Sequence, residues 1–216
     1  MVLVCAATEF ELACFPDTEG VAKAVTGVGV PATLALLPPL LEKFRPTLAV
    51  NIGIAGAYPG VGLEIGDVVL GEREVFGDLG FELPGGGFTP LQDSPFGAWY
   101  EPLPLRLPFP RADEVGNMPR EGAGGWVAGV GVTVNACTGT LATGERRRDR
   151  FGASFETMEG AAFALACRGA GVPAMEVRAI SNVAAERDMR PENIKLALAS
   201  LTEFLARNLE ALLRVY

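Results

Sequence analysis

Phe155-Glu156-Thr157-Met158-Glu159-Gly160-Ala161-Ala162, followed after a short gap by Val177-Arg178-Ala179-Ile180-Ser181-Asn182, sets the frame for the whole chain. The small residues after Glu159 open a helix, read here as Thr157 to Gly169. Val172 to Ile180 has the β-branched, apolar character of a buried strand. An acid at a helix start thus stands beside a strand that runs into Ser-Asn. The chain has no histidine, so any acid–base chemistry falls to carboxylates, amides, water, or an unusual thiol or lysine.

The same alternation extends outward. Val2 to Ala6 reads as a buried strand, Val21 to Thr26 as a second ending in Gly27-Val28-Gly29, and Leu48 to Ile52 as a third running into Gly53-Ile54-Ala55-Gly56. A helix is expected from about Val30, with Pro38-Pro39 kinking or restarting it before Phe44. Gly66-Asp67 turns the chain into Val68-Val69-Leu70, and Glu72 and Glu74 look like solvated strand charges. Trp126 to Asn135 is a strand. Pro191 to Val215 is a long amphipathic helix with Ile194, Leu198, Leu201, Leu205, Leu209 and Leu212 on one face. Residues 81–125 carry half of the 16 prolines and Gly85-Gly86-Gly87, and read as long loops with at most an edge strand, a variable binding surface. Strands alternating with helices imply an α/β sheet packed between helices, and residues 1–216 form a single domain.

Composition narrows the function. With 49% apolar residues in 216 the chain builds a sizeable core. A net charge of −8 offers no basic patch to nucleic acid or an anionic membrane. No apolar run reaches membrane-spanning length, and the apolar start lacks a basic leader, so a cytoplasmic protein is expected. Cys5, Cys14, Cys137 and Cys167 contain no CxxC pair and read as small core residues of a reducing compartment. Without histidine, a Cys/His zinc site and a Ser-His-Asp triad are ruled out. No cofactor and no metal are expected.

Each candidate residue has a plain structural reading beside the chemical one. Glu159 either complements a helix dipole or, with the thioether of Met158 beside it, grips vicinal hydroxyls of a sugar. Thr8 and Glu11 are either a capping box or ligand groups at the carboxyl end of a strand. The glycines of Thr26-Gly27-Val28-Gly29 and Asn51 to Gly56 are either tight turns or places of close backbone approach to a ligand. Three such ends on one side of a sheet favour a pocket. Gly66-Asp67 reads as a turn.

Taken together, Ala7 to Glu11, Thr26 to Gly29, Asn51 to Gly56, Gly66 to Val69, Met158 to Ala162 and Arg178 to Asn182 resemble, in order and spacing, the nucleosidases of the nucleoside phosphorylase/nucleosidase superfamily. The methylthioadenosine/S-adenosylhomocysteine nucleosidases are similar, and the futalosine hydrolases of menaquinone biosynthesis more so. The resemblance implies a mixed, twisted central sheet flanked by helices and a homodimer or higher oligomer. It also implies a small nucleoside substrate attacked by water. By that resemblance Glu11 activates water and Glu159 binds the ribose hydroxyls. Met158 packs on the sugar, Ser181 orients Asn182, and Arg178 braces the loop. Thr26, Gly27, Ile54, Ala55, Gly56, Val134, Asn135 and Thr157 complete the ribose and base pockets.

Two departures refine this. Phosphorylases of the superfamily hold phosphate with an arginine in the third segment and a basic residue near the first; here Asn51 or Ile52 and acids stand there, which favours hydrolysis. Adenine nucleosidases carry an aspartic acid where this chain has Asn182. An amide suits a 6-oxopurine, so hypoxanthine is the expected base. One of Arg106, Arg111 or Arg120 is expected to meet the carboxylate of a futalosine 5′ substituent. The remaining alternatives are a methylthioadenosine/S-adenosylhomocysteine or inosine-type nucleosidase, and a non-catalytic nucleoside-binding protein.

Overall fold

The computed structural model describes residues 1–108, 125–185 and 188–213. Ten strands are described: β1 (Val2–Ala6), β2 (Val21–Val25), β3 (Leu48–Ala57), β4 (Val68–Phe76), β5 (Gly80–Leu83), β6 (Gly87–Pro90), β7 (Leu103–Pro104), β8 (Trp126–Thr133), β9 (Phe155–Thr157) and β10 (Ala174–Val183). The helices are α1 (Glu9–Leu12), α2 (Val30–Phe44), α3 (Leu141–Phe151), α4 (Gly160–Gly169), α5 (Pro191–Arg207) and α6 (Leu209–Leu213).

The main sheet is mixed. β1 pairs in parallel with β2 and β3, and β3 in parallel with β10. β10 pairs antiparallel with β4, β4 in parallel with β8, and β8 in parallel with β9, which returns antiparallel to the far end of β3 at Gly56 and Ala57. Five strands therefore close into a ring, from which β1 and β2 extend as an open wing. Closure leaves few unpaired edges. It also sets the carboxyl ends of β1, β2, β3 and β10 side by side, the position from which α/β sheets bind ligands.

Alternation along β1 shows how the layers form. Val2, Val4 and Ala6 pack with Leu201, Phe204 and Leu205 of α5. Leu3 and Cys5 face the other way, onto Leu37 and Leu41 of α2 and Phe163 and Cys167 of α4. Both faces are covered, which is why the strand reads as continuously apolar. Burial pushes the Cys5 thiol up to about 12, as expected for a core residue, and Cys14 and Cys167 are buried as well.

Several local expectations change. Helix α2 is assigned without a restart, both Pro38 and Pro39 lying inside it. The carbonyls of Leu34 and Ala35 that lose their donors sit on exposed residues, where water can serve them. Thr157 ends strand β9 rather than starting a helix, which begins at Gly160. The C-terminal helix stops at Arg207, where the Asn208 side chain donates to the Phe204 carbonyl at 2.9 Å, before the short α6. Within 81–125, residues 109–124 lie outside the described ones; the rest contains the β5–β6 hairpin and β7, an antiparallel partner of β4.

Glu74 is the largest correction. It is fully buried, not solvated. Because β4 lies within the closed ring and α4 covers it, no face is open to water at this position. Its carboxyl accepts from Thr133 Oγ1 at 2.7 Å and Thr157 Oγ1 at 3.3 Å. It fills the room left by Gly131 and Gly160, where a Cβ would stand 2.0 Å and 2.4 Å from its Oε1. Burial, and then the neighbouring Glu176 carboxylate, hold it well above the usual carboxylate range.

A carboxyl raised in this way contributes stability fully below the ordinary carboxylate pKa and loses it as pH rises through the raised value. Glu74→Gln supplies the neutral hydrogen-bonding form at every pH. Its melting temperature relative to the parent is expected to climb as pH rises above the ordinary carboxylate range, read by calorimetric scans. A difference that does not vary with pH would contradict the assignment.

Candidate active site

The carboxyl ends of the parallel strands and the start of α4 enclose a cavity of about 460 Å³, within the range that takes a drug-sized molecule. Ala7 and Thr8 leave β1, and Phe10 and Glu11 come from α1. Val28 precedes α2, and Ile54, Ala55 and Gly56 come from β3. Glu156 to Glu159 run from β9 into α4, and Ser181 and Asn182 close β10. Cys137, Met189, Ile194 and Leu198 complete the wall.

Glu11 does two things at once. Thr8 caps α1, its Oγ1 accepting from the Glu11 N–H at 3.3 Å, as the local pattern suggests. The Glu11 carboxylate, however, turns into the cavity. Its Oε1 accepts from the Ile54 N–H at 3.1 Å and its Oε2 from the Thr8 hydroxyl at 2.7 Å. Two donors fix the side chain while leaving lone pairs toward the cavity.

Glu159 is the N-cap residue of α4, yet its side chain makes no capping bond there. Its Oε1 accepts from the Gly29 N–H at 2.8 Å, and its Oε2 lies 3.8 Å from Arg178 Nη1. The helix-dipole reading therefore does not account for its orientation. Burial pushes this carboxyl up, while Arg178 and the Gly29 N–H pull it down. Arg178 is itself fully buried; its Nε donates to Glu176 Oε1 at 2.9 Å. Desolvation works against its charge, but Glu176, Glu159 and Glu11 together raise it above the ordinary arginine range.

Ser181 and Asn182 are neighbours in one strand and would ordinarily point to opposite faces. A register shift in β10 between Ile180 and Asn182 lets both reach the cavity. Ser181 Oγ stands 3.0 Å from Asn182 Oδ1 and 3.2 Å from the Ala55 carbonyl, its single hydrogen shared between the two acceptors. Asn182 Nδ2 donates to the Val183 carbonyl at 3.1 Å, leaving its second hydrogen for a ligand.

Of the residues singled out from sequence, Glu11, Ile54, Ala55, Gly56, Thr157, Met158, Glu159, Ser181 and Asn182 meet in this cavity. Four do not line it. Thr26 is buried and donates to the Ala6 carbonyl at 3.2 Å, and Gly27 is passed over in favour of Val28. Val134 packs with Val75, Val130 and Val132. Asn135 binds the Asp78 carboxylate through its N–H at 2.6 Å and Nδ2 at 3.0 Å. The chain turns inward only two residues later, at Cys137, so that thiol is not a core residue. Arg106 lies beside Ala174 at the amino end of β10, and Asn182 near the carboxyl end of this 10-residue strand. At roughly 3.3 Å per residue, Arg106 is far from its own chain's cavity. Arg111 and Arg120 lie outside the described residues. Asp67 forms the turn expected of it, accepting from the Glu64 N–H at 2.8 Å.

Sequence reading passed over Glu156, Ile194 and Leu198. Glu156 stood in plain view beside Met158-Glu159, but its partners lie far along the chain. Thr138 N–H donates to its Oε1 at 2.7 Å; Thr138 Oγ1, Arg147 Nη1 and Tyr58 OH donate to Oε2 at 2.5, 3.0 and 3.1 Å. Ile194 and Leu198 lie on the apolar face of α5, a pattern that by itself marks core rather than a cavity wall. No group of His, Cys, Asp and Glu suited to a metal ion occurs among the described residues, and no described helix is long and apolar enough to cross a membrane.

Known proteins resemble this chain in sequence and in fold. A futalosine hydrolase of Thermus thermophilus is 36% identical over 182 residues, covering 84% of this chain and 78% of that protein. A futalosine hydrolase of Acidothermus cellulolyticus is 34% identical over 84% of this chain and 72% of its own length. Among solved structures, a Helicobacter pylori futalosine hydrolase mutant superposes with a TM-score of 0.74 at 18% identity, over 97% of this chain and 98% of that one. A methylthioadenosine/S-adenosylhomocysteine nucleosidase of Colwellia psychrerythraea in complex with adenine gives 0.72 at 20% identity, over 98% and 95%. The sequence profile of the phosphorylase superfamily matches residues 17–215. The chain belongs to the phosphorylase superfamily and, within it, to the futalosine hydrolases, a family of N-glycosidases.

Proposed function

We propose that the protein hydrolyses the N-glycosidic bond of futalosine and releases hypoxanthine, a step of menaquinone biosynthesis. The observation that carries this reading is the meeting of Glu11 and Glu159, remote in sequence, in one cavity with Asn182. Glu159 and Met158 hold the ribose, the carboxylate accepting from its vicinal hydroxyls. As the C1′–N9 bond breaks, the sugar becomes cationic and the surrounding carboxylates stabilise it. Glu11 takes a proton from the attacking water, a role typically worth about 10²–10⁴ in rate. Asn182 steadies the leaving base but has no proton to lose, so protonation of the purine comes through water.

Electrostatics favours water over phosphate as the nucleophile. Glu11, Glu156 and Glu159 line the cavity, and no lysine or arginine does so among the described residues. The nearby Arg178 is engaged by Glu176 and Glu159. A phosphate dianion would meet carboxylates at close range, with no lysine or arginine among the described lining residues to receive it. The apolar residues Phe10, Val28, Met189, Ile194 and Leu198 suit an aryl group on the 5′ side of the sugar. A cytoplasmic homodimer or higher homo-oligomer acting on a free nucleoside completes the reading.

Three measurements test it. In a chromatographic assay of released base, the protein is expected to free hypoxanthine from futalosine at a rate independent of phosphate. Release of adenine from methylthioadenosine instead would move it to the sister nucleosidases, and binding without any product would make it a nucleoside-binding protein. Glu11→Gln should fold and bind nucleoside while losing activity by about 10²-fold or more; full activity would remove Glu11 from the mechanism. Asn182→Asp should shift preference toward adenine nucleosides, and an unchanged ratio of 6-oxo to 6-amino turnover would count against the role of Asn182.

A further inference from the structure

Two buried carboxyls, Glu74 and Glu176, have no part in the site described above, and neither lines the cavity. As a counter-ion for Arg178, Glu176 would serve the fold alone. The guanidinium, however, is divided between two sets of acids. Its Nε donates to Glu176 Oε1 at 2.9 Å. Its Nη1 lies 3.8 Å from Glu159 Oε2 and crowds with Glu11 Oε1 over Gly53, where one added Cβ would meet both atoms. Arg178 is thus bonded to the inner carboxylate and only close to Glu11 and Glu159, the two that line the cavity.

The inner carboxylate has a built place. Glycines at 71 and 160 leave room for it: an added Cβ would stand 3.0 Å from Glu176 Oε2 at the first and 2.7 Å from Oε1 at the second. Asn51 Nδ2 on β3 lies 3.5 Å from the same Oε1. Gly160 directly follows Glu159, so Glu74 and Glu176 meet beneath the start of α4. The charged groups around Glu159 are therefore Arg178 and Glu176 from β10, Glu11 from α1, Glu74 from β4, and Glu156 from β9, the last paired with Arg147. The start of α2 presents the Gly29 N–H. Burial is the main push on the Glu159 carboxyl; Arg178 pulls it down, and Glu11 and Glu176 push it back up.

We infer that Glu176 is a positioning residue for the cleavage: it anchors Arg178 by Nε, keeps Nη1 beside Glu159 and Glu11, and draws part of the cation's charge away from them. The inference rests on the nucleosidase reading above, in which Glu159 must be a carboxylate to accept from both ribose hydroxyls. With the charge at 176 removed, Glu159 loses a like neighbour and Arg178 acts on it undivided. Both changes favour the carboxylate, so Glu159 stays ionised to lower pH. Glu74 does not take over the charge. Burial is the first cause that raises it, and burial survives the loss of Glu176.

The test compares pH profiles of kcat/KM for futalosine and for inosine on the full chain. Glu74→Gln is the reference and Glu74→Gln with Glu176→Gln the variant, so that no second carboxyl can take up the charge. An amide at 176 still accepts from Arg178 Nε, which separates charge from shape. The acid limb of the profile is expected to move about one pH unit or more lower in the double variant. A loss of activity equal at every pH, with the limb unmoved, would overturn the inference and leave Glu176 a buried counter-ion. If the double variant does not fold, Glu176→Gln alone is read against the parent by the same criterion. A parent protein that cleaves no purine nucleoside would instead defeat the nucleosidase reading, a separate outcome.

Discussion

The buried guanidinium of Arg178 is the constraint around which the molecule is arranged. It lies on β10 with no exposure to solvent, where a lone charge would be prohibitively costly. Glu176 meets it at 2.9 Å on the same strand and Glu159 at 3.8 Å from the start of α4, while Glu11 adds to the field from α1. One cation thus ties together three segments that are remote in sequence. Removing it would leave carboxylates buried without compensation, which costs roughly 3–5 kcal/mol for a broken buried pair. The sheet makes space for the assembly at Gly53, where a Cβ would stand 2.4 Å from Arg178 Nη1 and 2.6 Å from Glu11 Oε1. Glycine there reflects side chains crowding over the strand rather than a turn at its end.

Behind this group lies a second acidic layer. Glu74 and Glu176 approach each other beneath α4, and burial together with the Glu176 charge raises the Glu74 carboxyl well above the usual carboxylate range. The threonine hydroxyls link that layer to the helix. Thr133 Oγ1 gives its hydrogen to Glu74 and accepts from the Ala161 N–H at 2.7 Å; Thr157 Oγ1 accepts from the Gly160 N–H at 3.2 Å. Two of the otherwise unpaired N–H groups of the first turn of α4 are thereby satisfied by strand residues. This explains why Glu159, the formal cap, is free to face the cavity.

Much of the frame was legible locally. The continuous apolar runs of β1 and β3, the Gly66-Asp67 turn and the apolar face of α5 each declare themselves within a few residues. So do the acids at positions 11 and 159, which stand next to strand and helix ends. What escaped depends on tertiary pairing. Helix α3, with Glu145, Arg146, Arg147, Arg148, Asp149 and Arg150 in succession, has little apolar period to announce it. Glu74 looked solvated because a charged residue in a strand ordinarily marks an open face; only ring closure denies it one. The bulge that brings Ser181 and Asn182 to the same cavity, and the neighbours of Glu156 at positions 58, 138 and 147, are likewise invisible in a linear reading.

The two halves of the site are held by different kinds of structure. Glu11 and Glu159 come from α1 and the start of α4, and they keep their places through hydrogen bonds to Ile54 and Gly29 and through Arg178. Those links cross the molecule, and a disturbance of any one shifts charge in the cavity. Asn182, Gly56 and Glu156 sit instead on β10, β3 and β9, fixed by strand register. Sites carried on strands hold their geometry more closely than sites on loops. A change of side chain at 156 or 182 leaves the backbone pairing of Gly56 intact, whereas a change at 178 unbalances three carboxylates at once. On this architecture one half of the cavity is fixed by strand register and the other by a shared buried charge.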